Sequence, residues 1–415
     1  MPLRVLVVGA GIGGLGAAIA LNQAGHDVLV FEQSRFLHEV GAAIHVAPNA
    51  SRILHSWGID LAALQGVECE AIKVWDAQGN FVSTAMEAQD YKKALGIREP
   101  WLLSHRVDLH NALRAAAARE VEIRLSSRVA SVDAEAGVVT LEDGSVYTGD
   151  LVIGADGMHS RTVKAITGTD QKKESTGQST YRWLVPVAKL RENALTAPLL
   201  DRIGLNATHI FAGGDRRLVM YPCRSGTLLN VAGIHPSSTM AKTENSSWLD
   251  SGNVDGLLDT YKEFCPALRE ICRLGEDVRL WSLASRQPPR SFVRGRLALL
   301  GDAAHPTLPH QGQGGAQSIE DGAALGALFT VGTTREEVPQ RLELYNETRY
   351  RHAVTVMMMS QKPNERRAEM IEELRRYVAD AEVPSDMFRF AWGSDPVGKA
   401  RGLLTAGLLE GGSRL

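Results

Sequence analysis

Three glycines at positions 9, 11 and 14 follow directly on the apolar run 3–8, and Glu32 closes the next apolar run, 27–31. A Gly-x-Gly-x-x-Gly turn between a strand and a helix is the arrangement a dinucleotide needs. A side chain at Gly9 or Gly11 would block the tight turn, or hold a pyrophosphate away from helical N–H groups that attract anions. Glu32 is spaced to bind a ribose hydroxyl. Two further clusters also follow apolar runs. Residues 154–161 contain Asp156, Gly157, Ser160 and Arg161; residues 301–321 contain Asp302, His305, Pro309, Gly312, Gly314, Gly315, Glu320 and Asp321. Taken singly, an Asp or Arg in such a place is ordinarily a helix cap or a solvated charge. Their joint occurrence sharply lowers the weight of that plainer reading.

With these three landmarks, in this order and at about this spacing, the chain resembles the class A flavoprotein aromatic hydroxylases, the family of p-hydroxybenzoate and salicylate hydroxylases. The resemblance spans nearly the whole chain. It implies one non-covalently held FAD, with Asp302 matching the carboxylate that bonds the ribityl chain. Gly312, Gly314 and Gly315, with Pro309 before them, match the turn and helix start beside the isoalloxazine. Backbone N–H groups at a helix start can stabilise negative charge on a reduced flavin. Arg106 matches an arginine reaching the pyrophosphate, and Asp156 and Gly157 a motif implicated in both FAD and NAD(P)H binding. Arg35 and Ala43 fall on the cofactor side in the same comparison. Only one dinucleotide fingerprint is present, so NADH or NADPH is expected to bind transiently, without a βαβ unit of its own. The implied reaction passes through a flavin C4a-hydroperoxide that gives its distal oxygen to an electron-rich ring carbon. The protein supplies orientation, exclusion of water and an ionised substrate.

On the substrate side three residues stand out. Arg182 interrupts an otherwise apolar run at 180–186, Tyr221 ends the run 217–221, and His45 lies in the segment 41–49. These stretches resemble fungal members of the family that act on phenolic or indolic secondary metabolites, in which an Arg and a Tyr orient or ionise the substrate. The plainer alternatives are an Arg paired with a carboxylate, a Tyr tucked at a sheet end and a structurally satisfied His. An unperturbed imidazole, with a pKa of about 6.5, would suit exchange of a proton with a phenol. Rival readings are a flavin halogenase, whose Trp-x-Trp-x-Ile-Pro motif is not supplied by residues 183–186, a flavin epoxidase or ring-rearranging enzyme on an indole alkaloid, a non-enzymatic FAD-binding module, and an NAD-dependent dehydrogenase.

The elements that must position these groups read as an α/β fold. A Rossmann-like FAD-binding domain is expected in three pieces, 1–72, 97–171 and 282–362. A β-rich substrate domain takes 73–96 and 172–281, and a C-terminal helical region takes 363–415. Strands are expected at 3–8, 27–31, 151–154 and 297–300, and helices at 13–25 and from about 316. Residues 97–119 read as a turn and a long helix, and 121–154 as short strands with a hairpin turn at 142–145. Residues 172–281 form an antiparallel sheet, 335–380 polar helices briefly interrupted by Met357, Met358 and Met359, and 406–413 a glycine-rich tail. A chain of 415 residues exceeds a single core, which agrees with two lobes. A net charge of -3 offers no footprint for nucleic acid. The four cysteines lack a Cys-x-x-Cys pair, so neither zinc nor a disulfide framework is expected, and a cytoplasmic setting is favoured. No apolar run approaches the roughly 18 residues of a membrane span. No metal-ligand spacing is visible, and the oligomeric state leaves no trace in the sequence.

Overall fold

A computed structural model of the chain describes residues 1–35, 42–237, 250–251, 253–362 and 364–411. The runs at the N-terminus are continuous and rich in β-branched residues, the pattern of strands covered on both faces. Arg4–Val8 and Asp27–Phe31 pair in parallel across the helix Ile12–Gln23. Leu151–Gly154 and Leu297–Leu299 extend the sheet on the other side of Arg4–Val8, and Val293–Arg294 and Glu122–Arg124 form its edges. Helix Ile12–Gln23 is buried from Ile12 through Leu21, as befits a helix apolar all round. It lies between this sheet and the helix Gly314–Leu328, which approaches so closely that a Cβ on Gly322 would lie 2.8 Å from the Ala17 nitrogen.

A second sheet has eight strands. Its order is Asp250–Ser251, Glu276–Arg286, Lys173–Pro186, Leu228–Pro236, Arg216–Cys223, Ala207–Gly213, Ala71–Asp76 and Phe81–Glu87. All its pairs are antiparallel except Ala207–Gly213 with Ala71–Asp76. Four helices, Val187–Glu192, Ala197–Ile203, Val254–Thr260 and Pro266–Arg273, interrupt what the alternation alone presents as uniform β structure. Side chains alternate between the faces of a strand. Tyr181, Trp183 and Val185 enter a core with Leu257, Tyr261 and Leu268, so Arg182 and Leu184 face the opposite way, on the face that also carries Tyr221.

Three expectations need correction. Residues 102–105 are not a turn: Leu102–His105 is a strand, fully buried, paired antiparallel with Ala43–Val46, and the helix begins only at Arg106. Four residues are too few for a periodic signal, and tertiary pairing decides their conformation. Met357, Met358 and Met359 are fully buried at the end of the helix Val338–Met359, which is a core helix along much of its length. The glycine-rich tail is, through Gly411, the end of the helix Pro396–Gly411; positions 412–413 lie outside the described residues.

Candidate active site

All the glycine and acid motifs meet at one edge. The register sets Val8 beside Phe31 and Gly154, and Gly154 beside Leu299. Gly9–Gly14, Glu32, Asp156–Gly157 and Gly301–Asp302 therefore leave the carboxyl ends of neighbouring parallel strands, where open parallel sheets bind ligands. The glycines divide the work. A Cβ on Gly14 would lie 1.9 Å from the Gly9 carbonyl oxygen, whereas one on Gly11 would meet nothing within 4 Å. Gly14 thus permits the turn, and Gly11 leaves open the space above the first turn of the helix. Glu32 accepts from the backbone of Ala10 at 2.9 Å and Ser34 at 2.7 Å, which fixes it beside that opening with lone pairs to spare.

Asp302 follows the strand Leu297–Leu299 at the same end of the sheet and is exposed. The surrounding protein raises its carboxyl pKa, against the opposing pull of His305, Arg286 and Arg106, so Arg106 shares its electrostatic neighbourhood. Buried Arg286 donates to the carbonyls of Asp302, at 2.9 Å, and Ala303, at 2.5 Å, while its Nε has no partner among the described residues. Open space at a helix N-terminus, an exposed carboxylate at the same end of the sheet and an orphaned guanidinium N–H fit a dinucleotide cofactor such as FAD. Asp156 is occupied elsewhere: it accepts from Arg161 N, Thr162 N and Thr162 Oγ1 at 2.7, 3.1 and 2.6 Å, capping the helix Thr162–Thr167. Gly157 follows with φ of 75°. Arg35 is exposed and reaches Ser126 Oγ at 3.3 Å.

The short turn Pro309–Gln311 leads through Gly312, at φ of 62°, into the helix beginning at Gly314 and Gly315. His45 packs against that turn, within 3.1 Å of where a Cβ on Gly312 would stand. Beneath it runs a buried polar network. Asn49 Nδ2 donates to Gln313 Oε1 at 3.1 Å and to Glu320 Oε1 at 2.7 Å; Arg349 pairs with Glu320 at 2.6 Å and Asp321 at 2.7 Å. Asp321 also takes the Gly301 N–H at 2.9 Å and contacts His305 at 2.6 Å. Burial, which alone would raise the Asp321 carboxyl, is outweighed by His305 and Arg349, so its pKa lies well below the ordinary range. Glu320 is raised by burial in spite of Arg349. Such a network gains little net stability from its charges. It does tie the Gly301 turn, the Gly314 helix and the segment carrying His45 into one unit.

His45, on the strand Ala43–Val46, packs against Tyr221 of the facing eight-stranded sheet, and Tyr221 in turn lies in the electrostatic neighbourhood of Arg182. The His45 ring lies 4.6 Å from the Tyr221 ring, edge to face, and 5.4 Å from Trp101. Burial lowers the His45 imidazole to about 4, which keeps it neutral and departs from the unperturbed value assumed from sequence. Tyr221 is tucked in: its hydroxyl donates to the Ala43 carbonyl at 2.9 Å, and burial raises its pKa despite Arg182. Asn230 completes the clamp by accepting from Ala43 N at 3.0 Å. Arg182 pairs with no carboxylate among the described residues. Its Nε is buried without a partner, Trp281 lies 6.0 Å from its guanidinium, and desolvation lowers its pKa while Tyr221 acts in the other direction. Asn230, Asn49 and Arg286 are site residues the sequence reading passed over. The available signal was a polar residue inside an apolar strand run, which Asn230 gives clearly at 228–232.

Residues 2–360 match the model of a family described as FAD binding domain. The chain is 34% identical over 392 residues to an FAD-dependent monooxygenase of Aspergillus candidus, an alignment covering 92% of this chain and 90% of that one. It is 34% identical over 363 residues to hispidin-3-hydroxylase of Neonothopanus nambi, covering 84% and 85%. Among solved structures it resembles a salicylate hydroxylase in a substrate complex, with a TM-score of 0.74 and 25% identity, covering 94% of this chain and 98% of that one. A match across most of the chain, joined to a cleft whose geometry fits the cofactor, makes the protein a member of the FAD binding domain family, among its FAD-dependent monooxygenases.

Proposed function

We propose that this FAD-dependent enzyme hydroxylates a phenol or similarly electron-rich aromatic, using NAD(P)H and oxygen, in a site between the Gly312 turn and the inner face of the eight-stranded sheet. The observation that carries the reading is Arg182, a desolvated cation with an unpartnered Nε on the face that also presents Tyr221. A buried charge without a counter-ion is costly, and a phenolate or carboxylate in the site would remove that cost. An anionic substrate bound there is also the more nucleophilic one. Names of relatives that hydroxylate hispidin and salicylate support the substrate class.

FAD, when bound, supplies the reduction of oxygen and the transfer of one oxygen atom. The chain's own residues do the rest. Asp302, Arg106, Glu32 and the Gly9–Gly14 turn hold the cofactor, and Arg182 favours ionisation of the substrate. His45, neutral in the fold, accepts a hydrogen bond from a second, un-ionised hydroxyl of a substrate that binds already deprotonated, a role better suited to its lowered pKa than carrying away a proton. Tyr221 and Asn230 act through Ala43, holding the strand that carries His45. The division into an FAD lobe, a substrate lobe built from 73–96 and 172–281, and C-terminal helices is part of this reading. Four free cysteines suit a reducing compartment. Among the described residues no helix is long and apolar enough to cross a membrane. The test is a panel of phenols, benzoates and indoles assayed for NAD(P)H oxidation and for hydroxylated product. Product from a phenol is expected, with Arg182→Ala losing turnover while staying yellow; product only from a non-phenolic alkene, with Arg182→Ala unimpaired, would overturn the assignment.

A further inference from the structure

An uninterrupted line of aromatic rings leads away from the flavin turn. His45 touches Gly312; Trp101 lies 5.4 Å from His45 between ring centroids, Trp392 5.2 Å from Trp101, and Tyr91 6.0 Å from Trp392. Trp101 and Trp392 are 2% and 1% exposed, whereas Tyr91 is half-buried, on the helix Ala88–Leu95, with the Asp386 carboxylate in its electrostatic neighbourhood. We propose that Trp101, Trp392 and Tyr91 form an electron-transfer chain that carries one-electron oxidising equivalents out of the site to the surface.

The surroundings of the two ends differ in the way such a chain needs. Trp101 Nε1 has no hydrogen-bond partner among the described residues, so an oxidised indole there has nowhere to lose its proton. It stays a strongly oxidising cation and passes the vacancy on. Tyr91 has the opposite environment, because Asp386 can take the phenolic proton as the electron leaves. Asp386 is itself held in place, accepting from Phe388 N at 2.9 Å and Arg389 N at 3.1 Å. The electrons balance. The oxidant takes one electron from Trp101, Trp101 takes one from Trp392, and Trp392 takes one from Tyr91, whose proton passes to Asp386. The product is a neutral tyrosyl radical at the surface, which a thiol can reduce. The oxidant is a radical of the hydroxyl class: hydrogen peroxide, which forms whenever NAD(P)H and oxygen are consumed without oxygenation, takes one electron from the reduced cofactor and splits into hydroxide and a hydroxyl radical. That radical becomes a second hydroxide on taking the electron from Trp101. Tunnelling rates fall exponentially with distance, so rings in contact outrun slower attack on the side chains lining the site. The chain thus protects a site that handles activated oxygen.

The inference rests on FAD in the cleft and not on the phenol specificity proposed above. It is tested on the yellow holoenzyme without aromatic substrate, using a flash to make bound oxidised FAD the one-electron oxidant. A tryptophan radical should appear and give way to a tyrosyl radical in transient absorption, with the paramagnetic spectrum altered by ring-deuterated tyrosine. Trp392→Phe keeps an aromatic ring in the packing but is much harder to oxidise. It should abolish the tyrosyl signal and speed charge recombination with the flavin. Tyr91→Phe, at a half-exposed position with little effect on folding, should leave the tryptophan radical as the terminal species. During uncoupled turnover, peptide mapping should show oxidation shifting at least several-fold from residue 91 to residue 101 in Trp392→Phe. An equal tyrosyl yield in Trp392→Phe and wild type, or no aromatic radical in wild type, would overturn the proposal.

Discussion

Arg182 and Asp302 are the two charges whose surroundings say most about what is missing around them, one half-buried with its Nε unpartnered and the other exposed. Replacing Asp302 by Ala removes a charge-assisted hydrogen bond to the cofactor, worth about 1.5–3 kcal/mol. Titration of the apoprotein with FAD should show affinity lower by roughly 10- to 150-fold, with thermal unfolding of the apoprotein little changed. Arg182→Ala should lower kcat/KM by a similar order, about 10- to 100-fold, through loss of a contact to an anionic substrate. Arg182→Lys should recover only part, since an ammonium lacks the planar fork. At this scale the places of the Gly9–Gly14 turn and of Asp302 at the carboxyl ends of parallel strands were legible, because a strand and a glycine turn constrain their surroundings locally. Asp156 and Tyr221 were not. The caps that Asp156 makes lie five and six residues onward, and the acceptor of Tyr221 lies 178 positions back in the chain, so nothing in the adjoining residues names those partners.

The first turn and its helix make a sharper prediction at the scale of the element. Gly14→Ala forces a Cβ onto the Gly9 carbonyl oxygen at 1.9 Å, so it should damage both folding and FAD binding. Gly11→Ala meets no protein atom within 4 Å and should leave the thermal midpoint of the apoprotein near wild type while abolishing FAD uptake, because the added methyl enters the space reserved for the pyrophosphate. Paired calorimetry and flavin absorption separate the two; equal FAD occupancy in Gly11→Ala would show the pyrophosphate running elsewhere. The strands at 4–8, 27–31 and 151–154 were legible because both their faces are apolar. Leu102–His105 was not, since its conformation is decided by Ala43–Val46, about 60 residues earlier. Tyr221→Phe and Asn230→Ala each free one side of Ala43. Combined, they should loosen the His45 strand more than either alone, read as faster amide exchange at residues 43–46.

For the whole molecule, the histidines set a direction. Burial lowers His45 and His209 to about 4 and His310 and His352 to about 3, and shifts His26 and His235 the same way. In the unfolded chain they protonate near 6.5, so between those values the unfolded state binds more protons. Stability is therefore full above about pH 6.5 and declines as pH falls through the window toward 4 and 3. Urea midpoints at pH 7 and pH 5 should show the loss, and His209→Gln should lose less between the two; an unchanged difference would mean that His209 is protonated in the fold. The close seating of Gly314–Leu328 on Ile12–Gln23 bears on how the protein is made. The two helices are separated by about 300 residues, which at roughly 5–20 residues per second take about 15–60 s to synthesise. Throughout that interval the first helix, apolar on every side, has emerged from the ribosome without the surface that covers it. A fragment ending before residue 314 should therefore be captured by chaperones or aggregate rather than fold as an independent nucleotide-binding half.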